Sequence, residues 1–199
     1  VKNITTVIYM VRHGESPKEG NERTRGLTEI GKLDAYRITE SLKGEEIEVF
    51  VSSPYKRAVE TIRDLAEHVG KKVIEMEDLR ERVFVSGEKR ISDEELIPLL
   101  EKSFADPSFA LTRAESNAAC QNRAIAVLKD ILSIHKGKKI AIATHGAIMT
   151  LMMGYYDSRY DLGFLLHITK PDIYKMEFNG HELLSIKKVW QKIKPINHY

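Results

Sequence analysis

The chain has 199 residues, 42% of them apolar, enough to fill one domain with a substantial core. Charged residues make up 30%, yet the net charge is only +2, which argues against a nucleic-acid protein held by a broad basic face and leaves room for a local anion pocket. The single cysteine, Cys120, excludes an internal disulfide framework and a cysteine-built metal site, and is expected to be a half-buried structural thiol. No segment is long and apolar enough to span a bilayer and the first residues lack a signal-peptide layout, so a cytoplasmic chain without membrane contact is expected.

The run Val7 to Val11 reads as a buried strand that stops at Arg12-His13-Gly14-Glu15. In open α/β sheets ligands sit beyond the carboxyl ends of strands, which is where Arg12 and His13 would lie. The polar stretch 16–26 reads as an exposed loop carrying Lys18, Arg23 and Arg25. A helix then opens with Thr28 as N-cap and ends at Gly44, with Ile30, Leu33, Ala35, Ile38 and Leu42 as its apolar positions. A short strand, Ile47 to Val51, leads into a helix from Pro54 to His68 with Ser53 as N-cap. Lys56 and Arg57 fall in its first turn, where the helix dipole disfavours cations unless an anion binds there; Lys56 can equally point into water.

A third strand, Lys72 to Met76, precedes the charged segment Asp78 to Arg82. Residues 84–113 read as an insertion, with a helix at Asp93 to Ser103, and are a candidate lid or specificity element within one domain spanning 1–199. A long helix, Glu115 to His135, buries Ala119, Ala126, Leu128, Ile131 and Leu132, and the core strand Lys139 to Ala143 stops at Thr144-His145-Gly146 before a helix over Ala147 to Gly154. Asn179-Gly180 between Ile173–Phe178 and Leu183–Val189 signals a type I′ hairpin. Strands alternating with helices imply an α/β three-layer sandwich: a mostly parallel central sheet with an antiparallel edge, and helices on both faces.

On one rim of such a sheet Arg12, His13, Arg57 and His145 can converge. Two guanidiniums suit a phosphate because their N–H forks pair with its oxygens and stay charged, and two imidazoles add a nucleophile or further donors. Residues 84–113 and 155–170 are expected to shape the substrate pocket, with Arg90, Arg113 and Arg159 as candidates for a second anionic group, and Leu162 to Ile168 is apolar enough to be a contact surface, with the oligomeric state open.

Arg12-His13-Gly14-Glu15 resembles the signature of the histidine phosphatase superfamily, which includes cofactor-dependent phosphoglycerate mutases and many phosphatases. Leu27-Thr28-Glu29-Ile30-Gly31, Ser52 to Ala58 with Thr61, Leu79-Arg80-Glu81, Ala114-Glu115-Ser116 followed by Arg123, and Thr144-His145-Gly146 are similar to its further blocks, in the family's order. The resemblance implies that His13 is the nucleophile, forming a phosphohistidine, and that Arg12, Arg57 and His145 hold the phosphoryl oxygens, with Ser16 and Gly146 as further substrate-binding positions. Glu81 would protonate the leaving oxygen and then deprotonate water, with Arg80 and Arg82 facing away. Neither a metal nor another cofactor is implied, and the partner would be a small phosphorylated substrate or a phosphoprotein. Asn21 does not match the spacing of the mutases' Trp-Asn pair, and Arg82 to Gly87 departs from their substrate stretch, so hydrolysis of phosphomonoesters is the expected reaction, with mutase-type transfer as the alternative and a non-catalytic phospho-ligand module as a third reading.

Overall fold

The computed structural model describes residues 4–191. The strands are β1 (Thr5–Arg12), β2 (Val49–Ser52), β3 (Val73–Glu75), β4 (Lys139–Thr144), β5 (Asp172–Asn179) and β6 (Glu182–Lys188). The helices are α1 (Glu29–Leu42), α2 (Lys56–His68), α3 (Asp93–Ala105), α4 (Asn117–Ile134), α5 (Gly146–Tyr156) and α6 (Leu162–His167), with a single 3-10 turn at Glu77–Leu79. The strands form one sheet in the order β3-β2-β4-β1-β5-β6; the first four are mutually parallel, and β5 runs antiparallel to both β1 and β6.

Alternation along the strands feeds two cores. Ile8 and Met10 of β1, with Ile140 and Ile142 of β4, pack under α4 and α5 beside Leu128, Ile131 and Met152. Val7, Tyr9 and Val11 point the other way, with Phe50 and Ala141, against Ile38 and Leu42 of α1 and Ile62 and Leu65 of α2. This two-sided burial explains why the parallel strands read as nearly continuous apolar runs. A third cluster of Leu100, Ala147 and Leu165 ties α3 and α6 to the start of α5.

Several local expectations are corrected. In α1, Ile30 and Leu33 are about half exposed, and the inward face is Gly31, Asp34, Ala35, Ile38, Thr39 and Leu42; Gly31 must face the backbone of Glu15, and that contact sets the helix's rotation. In α4, Ala119 and Ala126 are exposed while Cys120 is fully buried, not half-buried. Helix α2 begins two residues later than Pro54; Ser53 accepts the Tyr55 N–H at 3.2 Å and holds a turn ahead of the helix instead of its cap. The β5–β6 turn centres on Gly180-His181, and of these only Gly180 has a positive φ, 58°, so it is not the type I′ turn expected of Asn179-Gly180. Most of Leu162 to Ile168 packs inward or is half-buried, with Leu166 the exposed large apolar side chain.

Candidate active site

Three crossovers deliver the site to one rim. β1 ends in Arg12-His13, and the His13 N–H continues the ladder to the Thr144 carbonyl at 3.1 Å. β2 ends at Ser52, and the Ser53 N–H donates to Ala143 O at 2.9 Å. β4 runs directly into His145 and α5. The neighbouring strand ends thus bring the two histidine rings to a centroid separation of 5.2 Å.

His13 is 5% exposed. Its Nδ1 lies 2.7 Å from the Gly14 carbonyl, a pairing only an Nδ1–H can make, so the lone pair sits on Nε2. The Arg57 Nε–H approaches that Nε2 at 3.3 Å. Arg57 itself is 1% exposed, and its other nitrogens donate to the Glu22 carbonyl and, at 2.7 Å, to the Glu22 carboxylate. The Gly14 N–H donates to Thr61 Oγ1 at 3.0 Å, and that hydroxyl donates to the Arg57 carbonyl, so one threonine fixes both the His13 loop and the first turn of α2.

Arg12 donates through Nη1 to the carbonyls of Ile168 (3.0 Å) and Thr169 (3.4 Å), and its buried Nε has no partner among the described residues. Its guanidinium lies where a side chain at Gly146 would be: a Cβ there would stand 2.8 Å from Nη2. His145 is fully buried, with Nε2 2.8 Å from Ser53 Oγ and Nδ1 unpartnered.

Glu81 lies across the start of α5. Its carboxylate accepts the N–H groups of Ala147 (3.0 Å), Ile148 (2.9 Å) and Arg82 (2.8 Å), satisfying two donors that a helix start leaves open. Arg123 clamps the segment from behind, donating to the carbonyls of Asp78, Arg80 and Glu81 and to the Glu115 carboxylate. Arg80 turns outward to Glu77 and Asp78, as expected. Arg82 does not face away: it is 4% exposed, stacks on Phe84 with 4.2 Å to the ring centroid, and lines the cleft.

The cleft has an inner chamber of about 140 Å³ bordered by Arg12, His13, Arg57 and Glu81, and an outer one of about 730 Å³ reaching Ser16, Asp93 and Leu166. Ser16 donates to the Gly26 carbonyl at 2.6 Å and accepts from Arg25, so it braces the loop at the rim of the outer chamber. Of the other basic candidates, Arg25 and Arg90 line both chambers and Lys18 the outer one, whereas Arg23 turns to Glu77, Lys56 to Glu60 and Arg159 to Asp157. Arg113 is exposed and borders neither chamber, and Asn21 staples its own loop by accepting the Arg23 and Thr24 N–H groups. Among the described residues no group of three or more His, Cys, Asp or Glu side chains is gathered as a metal would need, and no helix is long and apolar enough to cross a membrane.

The family model of the histidine phosphatase superfamily (branch 1) matches residues 8–189. The chain belongs to that superfamily. It is 27% identical over 153 residues to an uncharacterized phosphatase, PhoE, of Bacillus subtilis (strain 168), covering 74% of this chain and 76% of that one. It is 32% identical over 161 residues to a metal-independent phosphoserine phosphatase of Arabidopsis thaliana, covering 75% and 68%. The solved structure of Bacillus stearothermophilus YhfR superposes with a TM-score of 0.75 at 23% identity, over 90% of this chain and 94% of that chain. This superfamily member is therefore a phosphatase- or mutase-type enzyme with the three-layer fold that its alternating elements imply.

Burial, then the Arg57 charge, holds both histidines well below the ordinary imidazole range, with Arg12 adding to His13 and His13 itself to His145. In the unfolded chain each ring gains its proton near pH 6.5, while in the folded enzyme it stays neutral further down. The unfolded state then binds more protons, so stability is full above about pH 6.5 and falls as the pH drops below it, by up to about 1.4 kcal/mol per pH unit per histidine. Urea midpoints between pH 7.5 and 5.5 should decline accordingly, and by less in His145→Asn. Midpoints that hold level on acidification would contradict a neutral pair.

Residue chemistry alone left several partners unmarked. Glu22 and Val83 border the cleft from outside the segments 84–113 and 155–170, which hold Phe84 and Lys170; of the two, only Glu22, a carboxylate in a basic loop, carries any sign of its pairing.

Proposed function

We propose that this enzyme hydrolyses phosphomonoesters through a phosphohistidine at Nε2 of His13. The observation that carries the reading is the ring's state: Nδ1–H is engaged by the Gly14 carbonyl, burial and two arginines oppose protonation, and His13 borders the inner chamber. In the first step an Nε2–P bond forms as the ester P–O bond breaks. The substrate oxygens replace His13 as the acceptor for Arg57 Nε–H and take up the free Arg12 donors. With the Ser53 hydroxyl proton directed at its Nε2, His145 presents Nδ1–H to a third oxygen. The leaving alkoxide receives its proton through Glu81, whose carboxyl then takes one from the water that attacks phosphorus, and the N–P bond breaks.

On this reading the substrate supplies negative charge beside Arg12, and the segment 84–113, with α3 packed on α6, walls the leaving-group side as a specificity element. The test is hydrolysis of aryl phosphates in the presence of chelator, inhibited by vanadate. Glu81→Gln should slow phenyl phosphate by about 10²-fold or more and 4-nitrophenyl phosphate far less, because general acid help scales with the leaving group's need for a proton. Equal slowing of both would place the proton on another group.

A further inference from the structure

The cleft contains more positive charge than one phosphoryl group uses. Five cations border the outer chamber, Arg12, Lys18, Arg25, Arg90 and Lys170, against Glu15, Glu81 and Asp93. Most are committed. Arg12 faces the phosphoryl position, Arg25 pairs with Glu22 at 3.1 Å, and Arg90 pairs with Asp93 at 2.7 Å while donating to two backbone carbonyls. Lys18 reaches the same Asp93 at 3.7 Å. Glu15 accepts the Thr28 hydroxyl, and Glu81 is held on α5.

Lys170 is different. It borders both chambers, and among the described residues it has no ion-pair partner. The turn that carries it is tied to the reaction site, because the two carbonyls that anchor Arg12 belong to Ile168 and Thr169, the residues just before it. Asp172 and Pro171 brace the same turn through the Thr169 N–H and hydroxyl. Lys170 reaches solvent at the mouth of the cleft, yet the surrounding walls and then Arg12 and Arg90 push its ammonium down to about 8. A cation set among like charges favours an anion beside it. Across from it, Leu96, Ile97, Leu165, Leu166 and Ile168 offer an apolar wall for a carbon spacer.

We infer that Lys170 is a specificity-determining residue that receives a second anionic group, a carboxylate or a second phosphate, on the alcohol portion of the substrate. This rests on the phosphoryl group occupying the His13 chamber, and places a second charge at the junction with the outer one. Arg113 and Arg159 are thereby excluded from that role, and Arg90 is left to orient Asp93 and the loop.

Binding of non-hydrolysable phosphonates tests this apart from turnover. Calorimetry on the full chain would compare butylphosphonate with ω-phosphonocarboxylates of three to five carbons and with butane-1,4-diphosphonate. The wild type should bind the best bifunctional ligand at least tenfold more tightly than butylphosphonate. Lys170→Met should reduce that ratio below threefold, and Lys170→Arg should keep most of it. Whether the carboxylates or the diphosphonate show the larger ratio identifies the second group. No preference in the wild type, no phosphonate binding at all, or a preference that survives Lys170→Met overturns the inference. If the ratios behave as expected while aryl phosphates are not hydrolysed, the subsite stands and the catalytic reading fails.

Discussion

His13→Ala should reduce phosphatase turnover by on the order of 10⁴-fold or more, because it removes the atom to which phosphorus bonds. The surroundings offer no substitute. Among the described residues the inner chamber is lined by neither a cysteine nor a serine, and the only cysteine, Cys120, is buried on the inward face of α4, where burial raises its thiol further. His145 cannot take over, since its Nε2 is occupied by Ser53 and its ring lies edge-on to His13. The chemical signature is a rapidly quenched phosphoenzyme whose label survives base and is released by acid, mapping to His13 in the wild type and absent from the variant. The residual rate has a meaning too. Arg12, Arg57 and His145 remain in place, so inorganic phosphate and vanadate should still bind to His13→Ala, with turnover lost and occupancy kept. Turnover within tenfold of wild type would remove His13 from the nucleophile's role.

The same residue shows why part of this site can be read without coordinates. His13 and His145 each follow a β-branched or alanine-rich core strand directly, and parallel strands deliver their ends to one rim. Sequence position at such an end therefore translates into spatial position. Arg57 follows from the next crossover by the same logic. Glu81 is different: it lies after a 3-10 turn, and what aims it is Arg123, forty-two residues away on α4, together with the open N–H groups of α5. Only the resemblance to a family block marked it. Arg82 and Lys56 show the limit of charge as a guide. Arg82, expected to face out, is buried against Phe84, and Lys56, one residue from a fully buried arginine, reaches into solvent to Glu60. One helical step, about 100°, separates Lys56 from Arg57, and tertiary packing decides which of them is buried. Lys170 lies in the segment 155–170 expected to shape the pocket, but the sequence does not single it out, because its meaning depends on which other cations already have partners.

That dependence of the site on close packing is tested most severely at Gly31. Helix propensity alone favours alanine over glycine by about 1 kcal/mol inside a helix, so Gly31→Ala would be expected to stabilise. The geometry reverses the sign. A Cβ on Gly31 would stand 2.2 Å from the Glu15 carbonyl oxygen and 3.1 Å from the Glu15 nitrogen and carbonyl carbon, all of them backbone atoms that no rotamer change can move aside. That carbonyl also accepts the Thr28 N–H at 2.9 Å, while Thr28 Oγ1 accepts the Gly31 N–H at 3.1 Å as the helix cap, so α1 and the loop after His13 are joined at this point. Gly14 lies in the same contact, with its own absent Cβ 3.1 Å from the Gly31 carbonyl. Relief requires the loop to shift by roughly 1 Å, and His13 is two residues from Glu15; misplacement of that size costs about 10²-fold in rate. Overpacking of this kind also costs about 1–3 kcal/mol, enough to cancel the propensity gain and leave a net loss. Gly44→Ala is the control, because nothing lies within 4 Å of its Cβ position. It should leave the urea midpoint and kcat/KM nearly unchanged, whereas Gly31→Ala should lower both. If Gly31→Ala raised the midpoint as propensity predicts, the second family block would be a helix start and nothing more; a joint loss makes it part of the scaffold that aims the nucleophile.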